Sequence, residues 1–189
     1  MLSLNPRTTA LVLIDLQDGI LAMPTAPRPA ATVLEAGRGL AQRFRAAGAP
    51  VVLVNVAFSP DTGDAPPRNV DQPMQLPPGG LPPAWSALAE GLAAPGDILI
   101  TKRQWGAFTG TALDLQFRRR GIKTFVIGGI ATNIGVESTV RHGWELGYDV
   151  VVAEDACATT LTAELHDFAM QTIFPRIARV TKTADIAFG

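Results

Sequence analysis

Three stretches of this chain hold residue types suited to acid–base or electrostatic chemistry. Asp15 directly follows the apolar run Thr9-Ala10-Leu11-Val12-Leu13-Ile14, and Lys102 directly follows Asp97-Ile98-Leu99-Ile100-Thr101. The third stretch, Gly128-Gly129-Ile130-Ala131-Thr132-Asn133-Ile134-Gly135, follows Lys123-Thr124-Phe125-Val126-Ile127. Short apolar, β-rich runs of this kind make buried parallel strands. The third stretch reads as a tight turn leading into a helix over about 134–146, with Thr132 or Asn133 as its cap and Gly147 as its stop. Backbone N–H groups at such a turn, together with the helix dipole, hold an anion or a carbonyl oxygen becoming one. Each feature has a plainer reading. Asp15 serves equally as a turn or capping aspartate, and Gly128-Gly129 as a pair that only lets helix and strand pack closely.

The elements that must position these residues alternate along the chain. A helix is predicted over about 31–47, with Val33, Leu34, Leu40, Ala41 and Phe44 on one face, stopped by Gly48 and Pro50. Val51–Val56 is a second strand. The segment 58–83 carries eight prolines, and a loop of that length inside a domain is expected to be a lid or a subunit contact. A short helix at 85–88, a helix through Leu113 and Leu115 to the Arg118-Arg119-Arg120 end, a strand over 148–153, a helix over 163–173 and a last strand over 176–180 complete the pattern. Strand–helix alternation implies right-handed βαβ units and a parallel sheet covered on both faces. All strand tips then share one edge, where open α/β sheets bind ligands, so Asp15, Lys102 and the 131–135 turn converge there.

Composition limits the partners. At 189 residues and 47% apolar, with mean hydropathy +0.20, the chain suits one globular domain spanning 1–189. A net charge of −1 and a pI of about 6.1 leave no basic footprint for nucleic acid. The single cysteine excludes an internal disulfide framework and fits a reducing compartment. No apolar run approaches the ~20 residues of a membrane span, and the N-terminus lacks the shape of a signal peptide. The expectation is a cytoplasmic protein with no membrane partner.

Taken together, Leu13-Ile14-Asp15-Leu16-Gln17, Thr101-Lys102 with Gly106-Ala107-Phe108, and Gly129 to Thr139 resemble the isochorismatase-like hydrolases, the family of nicotinamidases, N-carbamoylsarcosine amidases and isochorismatases. The resemblance runs nearly end to end. It is strongest with an uncharacterised bacterial branch, the YecD-like proteins, through Lys102-Arg103-Gln104-Trp105-Gly106-Ala107-Phe108 and the segment Phe174 to Val180. It implies a three-layer Rossmann-like fold with a six-stranded parallel sheet of order 3-2-1-4-5-6, a homo-oligomer (dimer or higher) and a cis Ile130–Ala131 peptide. It also implies an Asp-Lys-Cys triad in which the aspartate takes the thiol proton, the lysine holds the charges and the thiolate attacks an amide carbonyl. Asp15 and Lys102 match the first two members. Gly135 stands at the cysteine position, so a covalent thioester route is unavailable. Ser138 and Cys157 are poor substitutes by placement. True isochorismatases also carry Ile-Gly here, and their chemistry needs no nucleophilic side chain; Thr132-Asn133, however, replaces their Ala-His.

The segment after the second strand has no histidine, which leaves the zinc site of nicotinamidases without ligands, and no metal is expected. No Gly-x-Gly-x-x-Gly or Walker loop is present, so no nucleotide cofactor is expected. The expected activity is non-covalent hydrolysis of a small polar or anionic metabolite at a vinyl ether or similar C–O or C–N bond. Asp15 would be the acid/base, Lys102 its electrostatic partner, and the Ala131 and Gly135 amides the oxyanion site. Gln17, Trp105, Phe108, Thr132 and Asn133 are the substrate-pocket candidates. The alternative is a binding or assembly protein that kept the pocket and lost turnover.

Overall fold

Apolar runs without polar interruption make the central strands, because both faces of these strands are covered. The structure, a computed structural model, describes residues 1–77 and 79–189, so Pro78 of the proline-rich segment lies outside the described residues. In chain order the elements are β1 (Leu2–Leu4), β2 (Thr9–Ile14), α1 (Asp18–Leu21), α2 (Ala30–Ala46), β3 (Val51–Val56), β4 (Ile98–Lys102), α3 (Leu113–Arg119), β5 (Thr124–Ile130), α4 (Glu137–Glu145), β6 (Asp149–Ala158), α5 (Ala163–Phe168), β7 (Arg179–Thr181) and β8 (Ile186–Phe188). Six of them form a parallel sheet of order β4-β3-β2-β5-β6-β7. Counted among themselves, these six follow the 3-2-1-4-5-6 order expected.

Strand β2 shows why the run Thr9–Ile14 has no polar alternation. Leu11 and Leu13 join the core cluster that holds Val33, Leu40 and Phe44 of α2. Ala10, Val12 and Ile14 join the opposite cluster with Phe117 of α3 and Val140 of α4. Side chains of a strand alternate between faces, so a strand buried on both sides must be apolar throughout.

The central turn begins later than the sequence suggests. Strand β5 continues through Gly128, Gly129 and Ile130, with Leu13 opposite Gly128 and Ile14 opposite Gly129. A Cβ on Gly129 would lie 2.1 Å from the Ile14 carbonyl oxygen, and Gly129 has φ +128°, a conformation open mainly to glycine. Here the glycines serve close strand contact. Neither Thr132 nor Asn133 caps the helix with its side chain. Instead the chain makes one π-helical turn over Thr132–Val136 before α4 starts at Glu137.

Other boundaries move for local reasons. Strand β6 runs on through Glu154-Asp155-Ala156-Cys157, because its register against β5 shifts between Ile127 and Gly129 and lets extra residues bulge out. The helix expected over 163–173 is α5 followed by a π turn at Ala169–Ile173, and the last strand starts at Arg179 rather than 176. The turn at 85–88 is a 3₁₀ turn over Pro83–Ser86. Two elements were not anticipated: α1, and the two-stranded β1–β8 ribbon that pairs Leu2 with Ile186. Elements of three or four residues are too short to show a period. No helix of the described residues is long and apolar enough to cross a membrane.

Candidate active site

Asp15 is the first residue beyond β2 and Lys102 the last of β4. Strand β3 lies between them in the sheet, with Ile14 opposite Val54 and Val56 opposite Lys102. The two side chains meet across the end of that strand, Lys102 Nζ donating to Asp15 Oδ2 at 2.7 Å. Asp15 has φ +54°, which aspartate tolerates better than most residues, while its N–H still donates to the Val54 carbonyl at 2.8 Å. The backbone therefore turns at Asp15 without leaving the ladder, and the carboxylate swings over the sheet edge.

Both groups are nearly sealed from solvent, Asp15 at 5% exposure and Lys102 at 2%. Burial pushes the Asp15 carboxyl up to about 6, against the pull of the Lys102 ammonium and its hydrogen bond. The second carboxyl oxygen, Oδ1, has no hydrogen-bond partner among the described residues. A buried acceptor without a partner is uncommon and costly. This carboxyl is thus held by one cation, and Oδ1 accepts no hydrogen bond from another described residue.

Gly135 lies in the π turn and faces this pair. A Cβ built on it would sit 3.3 Å from Asp15 Oδ2, 3.4 Å from the Trp105 carbonyl oxygen and 3.0 Å from Ile14 Cγ2. Its backbone is outside the left-handed region, so any residue can adopt it. Asp15, Lys102, Ala131 and Gly135 all line one cavity of about 370 Å³, at the small end of the ~300–1,000 Å³ typical of ligand pockets. The Ile130–Ala131 peptide at its floor is cis.

Of the five pocket candidates, the cavity takes in Trp105 alone. Gln17 is fully buried as a cross-link: its amide donates to the carbonyls of Val56 and Trp85, both at 3.1 Å, and accepts from the Val56 N–H at 2.8 Å. Phe108 sits inside an aromatic cluster with Phe117, Phe125 and Tyr148. Thr132 is buried against His166, Oγ1 to Nδ1 at 2.8 Å, and Asn133 accepts from the Thr159 hydroxyl at 2.5 Å. Sequence adjacency to the site marked these four, but Gln17, Phe108 and Thr132 are committed to the surrounding structure, and Asn133 does not line the cavity. Cys157 is buried beyond the cavity, its thiol pushed up to about 12 by burial. Ser138 packs beside Gly106 and does not line the cavity either.

The walls come largely from the segment expected to be a lid or a subunit contact, and from α1, which was not anticipated. Ile20 and Met23 arrive from α1 and the turn after it, Phe58, Met74 and Leu81 from the proline-rich segment, and Trp85 from the 3₁₀ turn. No helix or strand runs from 57 to 82 among the described residues, yet the segment closes one side of the cavity. Its prolines were the available signal, since a long loop built of them is stiff enough to form a wall. The surface these residues present is mostly apolar, in contrast to the polar or anionic ligand expected from the sequence.

Likeness to known proteins agrees with this geometry. Residues 9–185 match the Isochorismatase domain family. The chain is 51% identical over 187 residues to the uncharacterized isochorismatase family protein YecD of Escherichia coli O157:H7, covering 98% of each chain. It is 42% identical over 185 residues to the uncharacterized isochorismatase family protein YwoC of Bacillus subtilis (strain 168), covering 97% of this chain and 95% of that one. The structure of an isochorismatase family protein from Burkholderia thailandensis superposes with a TM-score of 0.92 at 46% identity, over 97% of this chain and 95% of the other. With the match running from β2 to the threshold of β8, this chain belongs to the isochorismatase family.

Proposed function

We propose that the protein is a hydrolase that activates water directly and forms no covalent intermediate. The observation that carries this reading is the face of Gly135 turned toward Asp15. Its missing Cβ would fall 3.3 Å from one carboxyl oxygen and 3.4 Å from a backbone carbonyl. Two acceptors thus flank this face, and a water drawn to them from the cavity would donate to both and keep a lone pair for the ligand. By the family resemblance the thiol would project from this position, where this chain has only a hydrogen.

In the proposed reaction on an amide or ester the Asp15 carboxylate takes a proton from this water as its oxygen bonds to the electrophilic carbon. The C–O or C–N bond then breaks, and the proton passes from Asp15 to the leaving group. On an enol ether the protonated Asp15 instead gives its proton to the vinyl carbon, and water adds to the oxocarbenium that forms. A carboxyl poised at about 6 suits both transfers near neutral pH. Lys102 holds the carboxylate in place and offsets its charge. The N–H groups of Ala131 and Gly135 receive the negative charge that develops on the ligand.

The test is a panel of small amides, esters and enol ethers, followed by assays of variants on any compound turned over. Asp15→Asn should abolish most turnover and Cys157→Ala should leave it intact. Added hydroxylamine should divert no product, because no acyl-enzyme accumulates. A covalent adduct in intact-mass spectra during turnover, or dependence on Cys157, would overturn the mechanism. Binding without turnover across the whole panel would instead favour a pocket-bearing binding protein.

A further inference from the structure

We infer that the cavity selects a neutral ligand with an apolar, ring-sized body, and discriminates against anions. This deepens the reading above by naming a substrate class for the same site. Among the described residues that line the cavity, Asp15 and Lys102 are the ionisable ones, and each is already matched to the other at 2.7 Å. Their charges cancel. An incoming carboxylate would lose its hydration and meet no unpaired cation to offset that loss.

The residue next to Lys102 shows that a cation close by in sequence is committed elsewhere. Arg103 donates to the Ala57 carbonyl at 2.8 Å and pairs with Asp64 at 2.6 Å, and it does not line the cavity. Gln104 lines it, but its amide nitrogen is bound to the Thr109 carbonyl. Gln75 and Thr160 add uncharged polar groups to the lining, and the rest of the surface offered to the ligand body is apolar, led by Phe58, Met74, Trp85 and Trp105. Burying a ring against such walls is favourable at ~25 cal/mol per Å² of apolar surface, and aromatic walls suit flat rings. Trp105 is 55% exposed, so apolar surface is held open at the rim where a ligand would cover it.

The experiment compares two probes without a hydrolysable bond, acetophenone and 4-acetylbenzoate, by ligand-observed NMR titration of the wild-type protein. Acetophenone should bind at least tenfold more tightly. Trp105→Ala, at an exposed position that leaves the fold intact, should weaken acetophenone binding at least fivefold. Asp15→Asn frees the Lys102 ammonium and should raise the affinity for 4-acetylbenzoate, narrowing or reversing the preference. Equal or tighter binding of 4-acetylbenzoate by the wild-type protein would overturn the inference, as would acetophenone binding indifferent to Trp105→Ala. Because neither probe can be turned over, these results stand apart from whether the protein is a hydrolase.

Discussion

Asp15 and Glu154 are two carboxylates near the same edge of the sheet, held on opposite terms. Asp15 has one cation at 2.7 Å and an oxygen with no partner among the described residues, and burial lifts it to about 6. Glu154 is also penalised by burial, but hydrogen bonds from Lys182, Arg28 and His166 outweigh that and bring it down to about 2. Arg28 reaches Glu154 at 2.6 Å and His166 at 3.3 Å. The His166 ring is shifted down, mainly by its own burial, so the neutral form prevails near pH 7. Its Nε2–H can then donate to Glu154 while Nδ1 accepts from Thr132. Desolvation acts on both acids, and the number of donors decides the direction. Asp15 can thus exchange a proton near neutral pH, whereas Glu154 stays ionised there and holds structure.

The sharpest way to break this contrast is to neutralise each acid in turn. Asp15→Asn should lower kcat by ~10²–10⁴-fold, the usual worth of a general acid–base group. Glu154→Gln should leave kcat within a few-fold, as measured on whichever panel compound the wild type turns over. Comparable losses from both would erase the distinction.

A smaller but cleaner effect concerns Gly135. Gly135→Cys should give a thiol that iodoacetamide alkylates at least tenfold faster than Cys157, whose thiol is buried and pushed up to about 12. Adding Asp15→Asn should slow the reaction at 135 by removing its proton acceptor. Peptide mass spectrometry reads both rates. An inert thiol at 135 in a folded variant would mean that this position does not present its side chain to Asp15.

Stability should reverse the ranking of the two acids. Glu154→Gln weakens charge-assisted hydrogen bonds worth ~1.5–3 kcal/mol. The corresponding fall in Tm is about 3–12 °C for a chain of this size, readable by calorimetry. An unchanged Tm would show the cluster to be ornamental.

The pH dependence of stability separates the pair most finely. Asp15 is raised from 3.8 to about 6, so its contribution is full below about 4 and lost as pH rises through about 6. Glu154 is lowered from 4.5 to about 2, so its contribution is present above 4.5 and lost as pH falls through about 2. Urea midpoints against pH should flatten on the upper limb in Asp15→Asn and on the lower limb in Glu154→Gln. In the wild type, kcat/KM should climb through about pH 6 as the base ionises; a fall there would recast Asp15 as the acid.

Much of the scaffold could be read from the chain because its signals are local. Ala10–Ile14 is apolar at every position, and only a strand covered on both faces has use for that. The meeting of Asp15 and Lys102 followed from strand tips sharing an edge. Gln17, Phe108, Thr132 and Asn133 misled because motif adjacency does not say which way a side chain points. The amide of Gln17 is spent on Val56 and Trp85, 39 and 68 residues away. The prolines marked 58–83 as a lid or contact, but not which of its residues wall the cavity, because an aperiodic segment has no face to read.

Gly129 carries a lesson for anyone who maps this protein by mutation. Its hydrogen stands where any larger substituent would strike the Ile14 carbonyl, one residue ahead of the proposed acid. A saturation screen scored by lost activity would rank Gly129 beside Asp15, although one is a spacer and the other a reagent. Survivors at 129 would arise through second changes that let β2 and β5 part, and those suppressors would chart how far Asp15 can drift and still work.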